Sequence, residues 1–457
     1  MTHEQTARST FPIGGIYPNE HKEATEGLPI EAMPCPAEVT LFLKQHVGVP
    51  CELTVKPKDS VVLGQMIGTV GDKLGAPLHA SVSGTVKAVK EAMHPLITRD
   101  TAVVLSADPV ADAADRARME SAPVEWRTVG REELLNRMKN AGLVGLGGAG
   151  FPVYAKVNLK PDVKVDTLIL NGAECEPYVT CDHRIMLQYA REIVEGAKIL
   201  MRVIGNQRCL IGIEANKMDA VEALKQAIGE AKDRQKWEID VRVLQVKYPQ
   251  GAADQIMESL TGRVRPAGKR SSSIGIIVQN VYSTKTVYDG VVLGRPLFER
   301  VITVAGKGIA RQANLLVRIG TSIADIAAYL GGTTDDLDRI VVGGPMMGVS
   351  IGSLDVPIMK YTPGILFLGS DEVSTETYGP CISCGFCLQA CPMGLEPHNI
   401  SKYVEAGRAV EAEKFGVEDE CFECGSCAFC CPAHRPLVQF IKIAKAEIDR
   451  HKRQQKK

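Results

Sequence analysis

The spacing of apolar positions changes character several times along the chain. From Cys51 to Val89, Val, Leu and Ile alternate with polar residues in short runs, CELTVKPKDSVVLGQMIGTV and then PLHASVSGTVKAV. Period-two alternation puts successive side chains on opposite faces of a strand. With turns at Lys58-Asp59 and Ser83-Gly84, it predicts a small all-β module. Ahead of it, residues 11–34 are rich in Gly and Pro and read as an extended lead-in. Residues 106–125, rich in Ala, Asp and Pro, read as a linker. Beyond them the period switches. Helical spacing covers Glu132–Asn140, Arg191–Val203 and Asp219–Lys232, and short apolar runs at Thr167–Leu170, Cys209–Ile213, Ile239–Val246 and Ile274–Val278 read as strands. Strands alternating with helices predict an α/β sheet with ligands at the C-terminal ends of its strands.

From Val301 to Gly348, strand VITVAG, run NLLVRIG, helix SIADIAAYLG and strand RIVVGG form a compact unit. One helix among a few strands suits a β-grasp-like module. Residues 376–435 are cysteine-rich, with a helix predicted over Asn399–Lys414. The tail opens apolar (LVQFIKIA) and closes on HKRQQKK, a basic amphipathic pattern that suits either a solvated helix or a membrane surface. The HASVSGTV phrase of the N-terminal module is similar to the lipoyl/biotinyl barrel-sandwich fold. It lacks a modified-lysine tripeptide, so a scaffold is expected rather than a swinging arm. The fold class is thus multidomain α/β. It comprises a barrel-sandwich-like module over 11–105, an α/β nucleotide-binding domain over 126–300 and a β-grasp-like module over 301–370. Residues 371–440, in which two cysteine runs at Cys381–Pro392 and Cys421–Pro432 repeat the CxxCxxCxxxCP spacing of [4Fe–4S] proteins, read as a helical two-cluster ferredoxin-like domain, and a basic tail follows over 441–457.

Length and charge fit this division. A chain of 457 residues exceeds what one core holds, and a formal net charge of −1 gives no electrostatic case for nucleic acid. Met1 to Phe11 is polar, without the apolar stretch of a secretory signal, and no window approaches 20 uninterrupted apolar residues.

Eight of the fourteen cysteines form two copies of one pattern: Cys381-x2-Cys384-x2-Cys387-x3-Cys391-Pro392 and Cys421-x2-Cys424-x2-Cys427-x3-Cys431-Pro432. This run holds [4Fe–4S] clusters, and in two-cluster proteins the fourth cysteine of each run crosses to the other cluster. One cluster is therefore expected on Cys381, Cys384, Cys387 and Cys431, the other on Cys421, Cys424, Cys427 and Cys391. Paired zinc sites would use the CxxC spacing but have no need of the x3-Cys-Pro ending. Oxygen-sensitive thiolates argue for a reducing compartment. Cys430 has no place in the spacing and reads as a packed thiol, Met346-Met347 as core filler, and His79 and His94 as surface or packing residues. Cys175, Cys181 and His183 are too few and too scattered for a convincing metal site.

A second motif, Gly145-Leu146-Gly147-Gly148-Ala149-Gly150-Phe151-Pro152, carries Lys156 shortly after it. Glycines let backbone N–H groups approach a phosphate or flat ring, and a lysine supplies point charge. The G-x-G-x-x-G spacing is present, but a helix rather than a strand precedes it, so the Rossmann context fails. The predicted strand VDTLIL leads into NGAECEPY, another ends in Lys247-Tyr248-Pro249-Gln250-Gly251, and a third in Gln279-Asn280-Val281. A cluster cannot accept a hydride, so a flavin is the natural converter from two electrons to one.

GLGGAGFP with its lysine, NGAECEPY and YPQG resemble the FMN- and NADH-binding subunit of respiratory complex I. Add FPIGGIYPNEHK, HASVSGTV, GGPMMG and the twin cysteine runs, and residues 10 to 440 resemble the C subunit of the Rnf family of ion-translocating NAD:ferredoxin oxidoreductases. The resemblance implies a peripheral, cytoplasmic-side subunit of a prokaryotic inner membrane. It would exchange hydride between NAD(H) and FMN and pass single electrons through two [4Fe–4S] clusters. Its partners would be integral-membrane and ferredoxin-like subunits and, through them, ferredoxin.

Carried over by position, Gly145, Gly147, Gly148, Gly150 and Lys156 would hold FMN, and Asn171, Gly251, Asn280 and Ser283 would complete its ribityl-phosphate site. Phe151 would stack near the nicotinamide or adenine, and Glu174 and Glu176 would lie on the NAD(H) side. Ala252 and Ala253 stand where complex I has a glutamate pair, and Ala173 where it has an acid; both thin the polar contacts around NAD. No general base is needed, and no catalytic side chain is assigned. A soluble flavin/iron–sulfur reductase of another acceptor, such as a cobalamin, and a non-catalytic electron wire are the competing functions.

Overall fold

In a computed structural model of the chain, the described residues are 9–96, 99–119, 123–148 and 150–455. Ala149 of the glycine loop, the first eight residues, parts of the β module (97–98) and linker (120–122), and Lys456-Lys457 lie outside them.

The central unit is a four-stranded, all-parallel sheet in the order Glu238–Leu244, Arg208–Glu214, Thr167–Gly172, Ile276–Asn280. Its two inner strands are buried almost throughout, as parallel strands covered by helices on both faces must be. The helix Ala190–Ile204 buries Ile193, Val194, Ala197, Leu200 and Met201, and packs against helix Val281–Val292. Gly196 makes that crossing possible, since a Cβ there would meet the Thr284 carbonyl oxygen at 2.1 Å. Gly205, at φ +85°, ends the helix in the left-handed conformation.

The N-terminal module has two small antiparallel sheets. Glu38–Phe42, Arg99–Ala107, Gly84–Met93 and Ser60-Val61 form one; Glu52-Leu53, Met66–Thr69 and Leu78-His79 form the other. Their inward residues, Val39, Leu41, Ile67, Val86 and Leu105 among them, share one core with the α/β domain. His79 is buried, and His94 packs edge-on against Phe42 at 4.6 Å. The third unit is a six-stranded mixed sheet ordered Ile30–Ala32, Ala313–Arg318, Glu299–Ala305, Gly364–Gly369, Leu337–Val342, Val349–Ile351, covered by helix Ile323–Tyr329. The expected lead-in therefore does more than lead in: Ile30–Ala32 is an edge strand of this distant sheet, while Ser9 and Ile16 bridge to Leu244 and Tyr248 at the α/β sheet.

Three expectations need correction. The stretch read as a linker contains helix Pro109–Arg118, capped by Asp108, whose carboxylate accepts from the N–H groups of Val110 and Ala111. Asp112 on its inner face is buried and pairs with buried Arg318 at 2.7 Å. Losing one partner of a buried pair strands the other charge. Asp112→Ala is accordingly expected to lower unfolding free energy by about 3 kcal/mol, measured by denaturant titration. The helix predicted over Asn399–Lys414 stops at Glu405, because Gly407 takes φ +70°, and resumes as a 3-10 segment at Ala409–Phe415. Finally, a continuous helix, Leu437–Gln455, runs through the boundary expected at 440/441. It buries Leu437, Ile441, Ala444 and Ile448 against the cysteine domain, so this tail is docked along one face rather than freely solvated.

Candidate functional site

The glycine loop follows helix Arg131–Asn140 and precedes the five-residue helix Val153–Val157. An antiparallel bridge between Val144 and Pro152 pinches its base, and the Gly145 N–H donates to the Phe151 carbonyl at 2.9 Å. The missing Cβ atoms matter most at two positions. At Gly147 a Cβ would press on Asn280 at 3.0 Å; at Gly148, with φ +152°, it would point into open space. The loop thus lies against the end of strand Ile276–Asn280 and keeps one backbone face clear.

Several carried-over residues build this frame. Buried Ser283 accepts from the Leu146 N–H at 2.8 Å, and Asn280 caps the helix behind it by accepting from the Ser283 N–H at 3.0 Å. Asn171 donates to the Gly251 carbonyl at 2.7 Å and accepts from the Ala173 N–H at 3.1 Å, tying together two strand-end loops. Lys156 differs from them all. Among the described residues its ammonium has no anionic partner, and burial pulls it down to about 8. An unpaired cation on the short helix that follows the open glycine backbone fits a phosphate-bearing group.

The two glutamates expected on the nucleotide side are engaged elsewhere. Glu174, at φ +47°, turns back to accept from the N–H groups of Asp182 (2.5 Å) and His183 (3.1 Å). Glu176 accepts from the Met346 and Met347 N–H groups at 3.1 and 2.9 Å, and burial raises it to about 7. The GGPMMG loop can sit this close only because Gly344 lacks a Cβ, which would lie 2.2 Å from the Glu176 carboxylate. Ala252 and Ala253 open helix Ala253–Thr261, and the one acid in its first turn, Asp254, is paired with Arg265 at 2.7 Å.

Sequence reasoning overlooked three residues here. Asp182 is pushed up to about 7, first by burial and then by Glu174, and accepts from Asn280 at 2.5 Å. Buried Lys22 donates to the carbonyls of Glu174, Glu176 and Val179, and buried Lys217 to that of Ala173 at 2.8 Å. Together they hold the NGAECEPY loop by its backbone. Lys22 belongs to the FPIGGIYPNEHK phrase, so its signal was present without a role. Cys175, Cys181 and His183 do not converge: His183 pairs with Asp219 at 2.8 Å, and the Cys175 sulfur accepts from the Gly251 N–H at 3.3 Å.

In the cysteine domain the two runs have matching backbones. Ser383 and Glu423 take φ +57° and +62°, Gly385 and Gly425 take +80° and +84°, and each glycine opens a short helix carrying the third cysteine. The structure brings Cys381, Cys384, Cys387 and Cys431 around a cavity of about 230 Å³. Cys391, Cys421, Cys424 and Cys427 line a second, narrower one. All eight are free of disulfides, and the Leu395 N–H points at the Cys391 sulfur from 3.3 Å. Buried Arg435 Nε and His398 Nδ1, on residues lining the first cavity, have no partner among the described residues. Four soft thiol donors per cavity fit a [4Fe–4S] cluster in each, and at the first the unpartnered Arg435 Nε–H adds a hydrogen-bond donor.

The two cavities stand differently to the flavin-side crevice. The Tyr248 hydroxyl, on the loop that also carries Gly251, donates to the Cys424 carbonyl at 2.7 Å. Gln255 reaches the Pro392 carbonyl at 3.3 Å, and Gly14 packs against Cys391. The Cys421 set therefore abuts the α/β domain. In the other set Cys384 is exposed, and Ile382 and Phe386 beside it face solvent.

Four family descriptions match the chain in this order: an RnfC barrel sandwich hybrid domain over 10–109 and the Nuo51 FMN-binding domain over 138–289 come first. An SLBB domain over 301–350 and a 4Fe-4S dicluster domain over 380–435 follow. The chain is 39% identical over 437 residues to the C subunit of the proton-translocating ferredoxin:NAD(+) oxidoreductase complex of Clostridium ljungdahlii, covering 95% of this chain and 93% of the relative. It is 38% identical to the C subunit of the Na(+)-translocating complex of Acetobacterium woodii, covering 95% and 96%. Among solved structures, an NAD+-reducing [NiFe]-hydrogenase in its air-oxidised state shares the fold at TM-score 0.52 and 18% identity, over 70% of this chain and 66% of that one.

Proposed function

Because the chain belongs to the family of C subunits of ion-translocating ferredoxin:NAD(+) oxidoreductase complexes, we propose that it takes electrons between NAD(H) and its partner subunits along one internal route, from the glycine-loop crevice to the Cys421 set and then the Cys381 set. It is an electron-transfer subunit of such a complex, with an FMN-binding domain and a 4Fe-4S dicluster domain. The observation that carries the route is the seating of Cys424 and Cys391 against the α/β domain, while Cys384 of the other set is exposed.

When bound, FMN converts the hydride of NAD(H) into single electrons, and [4Fe–4S] clusters carry these one at a time. The chain's own work is placement. Lys156 supplies charge for the flavin phosphate. Gly148 leaves backbone of the loop open, and Ser283, Asn280 and Asn171 fix the loops around it. Phe151 stands at the loop's exit for the nicotinamide nucleotide. Glu174 and Glu176, bound to backbone amides, contribute to the NAD(H) side through the loop shape they hold. Among the described residues no helix is long and apolar enough to cross a membrane. A peripheral seat on the cytoplasmic face of the inner membrane, against integral-membrane and ferredoxin-like subunits, is the reading the family supports.

Two measurements bear on this. Anaerobically purified chain should contain flavin and about eight irons; a chain replete with iron but devoid of any flavin after reconstitution would defeat the crevice assignment. A pH series tests Lys156. Its value near 8 rises when a phosphate binds, so binding takes up a proton above pH 8 and affinity falls as pH rises. FMN affinity at pH 9, read by quenching of flavin fluorescence, should be roughly tenfold weaker than at pH 7.

A further inference from the structure

The two cysteine runs repeat at an offset of 40 residues, and the repeat sets equivalent positions side by side: Ser383 with Glu423, Leu395 with Arg435, His398 with Val438. The cavities sort these pairs. Ser383, His398 and Arg435 line the one with the Cys381 set, whereas Glu423, Leu395 and Val438 line the one with the Cys421 set. These three differences share one electrostatic sense. Where the first cavity has a buried guanidinium and an imidazole, the second has two aliphatic side chains; where the first has a hydroxyl, the second has a carboxylate.

From this asymmetry we propose that Arg435, with His398, raises the reduction potential of the Cys381-set cluster above that of its twin, so that electrons entering at the Cys421 set run on toward the exposed one. The inference rests on the cluster assignment proposed above. Arg435 is 3% exposed, and its contacts account for all but one part of its fork. One terminal nitrogen donates to the Gly379 carbonyl at 3.2 Å, the other to Ser401 and the Glu405 carboxylate, and Nε–H is left without a partner among the described residues. Glu405 is 38% exposed, so solvent screens its charge more than that of the arginine beside the cavity. The second cavity also has two cations nearby, but Lys445 and Lys442 both pair with Glu423, Lys445 also donates to the Cys421 carbonyl, and neither lines the cavity. Adding an electron makes a cluster more negative. A buried cation with an unspent N–H donor stabilises that form, and aliphatic walls do not. The step makes and breaks no bond: one electron lost at the Cys421 set is gained at the Cys381 set. Arg435 is a positioning residue of this transfer, since it ligates nothing.

The test is a redox titration of the anaerobic full-length chain followed by electron paramagnetic resonance, in wild type and in Arg435→Leu, which copies Leu395 onto the other repeat. The wild type is expected to show two separated midpoints. In Arg435→Leu the upper one should fall by about 59 mV or more, a tenfold change in electron partition, while the lower stays. Equal iron content with both midpoints unmoved, or movement of the lower one alone, overturns the proposal. Should Arg435→Leu lose iron, Arg435→Lys keeps the charge and should retain the upper midpoint; a fall there as large as that of Arg435→Gln overturns it too. A wild-type chain without clusters would instead refute the underlying assignment.

Discussion

Replacing Cys391 with alanine is expected to halve the iron, from about eight atoms per chain to about four, and to do so by emptying the cavity that belongs to the other run. Cys391 is the last cysteine of the first run, yet it lines the cavity with Cys421, Cys424 and Cys427. Double variants make the crossing visible. Cys391→Ala with Cys421→Ala removes two ligands of one cluster and should still leave about four irons. Cys391→Ala with Cys381→Ala touches both clusters and should leave almost none. Were each run to hold its own cluster, these two results would exchange, because non-additivity follows shared sites rather than sequence neighbours. Iron and sulfide analysis under anaerobic conditions reads the difference directly.

Lys156→Met should weaken FMN binding by roughly 10- to 150-fold, the equivalent of about 1.5–3 kcal/mol for a hydrogen bond to a charged group. The size follows from its situation. Among the described residues the ammonium has no carboxylate to relinquish, so its whole interaction is available to a ligand phosphate. For the same reason the variant should unfold at nearly the same denaturant concentration as the wild type, whereas a merely structural lysine would cost stability. Equilibrium dialysis with FMN, alongside a denaturation curve, separates the two roles. An unchanged dissociation constant would move the phosphate away from Lys156.

How far the sequence disclosed this arrangement depends on the range of each interaction. The βα alternation was legible because apolar periodicity is local: Thr167–Gly172 and Arg208–Glu214 extend the predicted runs by only a residue or two. The cysteine spacing was legible for the same reason. Residues 106–125 were not, because Ala, Asp and Pro suit a loop and a capped helix start equally well. What decides is Arg318, 206 residues away, meeting Asp112. Glycine's effect at Gly407 overrode a helical pattern on either side. In the crevice, residue identity was readable but direction was not. Glu174 and Glu176 look like nucleotide contacts in a string of letters, yet backbone amides of the helix that begins at Cys181 and of the GGPMMG turn take up both carboxylates. The lead-in's function was equally hidden: Lys22 and Ile30–Ala32 acquire meaning only once the distant loop and sheet they join are in place.

The claim on which the rest depends is that one chain contains both the hydride-accepting site and the two cluster sites, joined at Tyr248 and Cys424. Rapid mixing of the anaerobic, flavin-loaded chain with NADH, observed at flavin and cluster wavelengths together, addresses it most directly. Flavin bleaching followed by cluster reduction within the same isolated chain is the expected result, with reduction of both centres lost in Cys391→Ala, which empties the cavity nearest the flavin crevice. Flavin that stays oxidised in excess NADH, or clusters that stay oxidised after the flavin has bleached even though their potentials permit reduction, would contradict it.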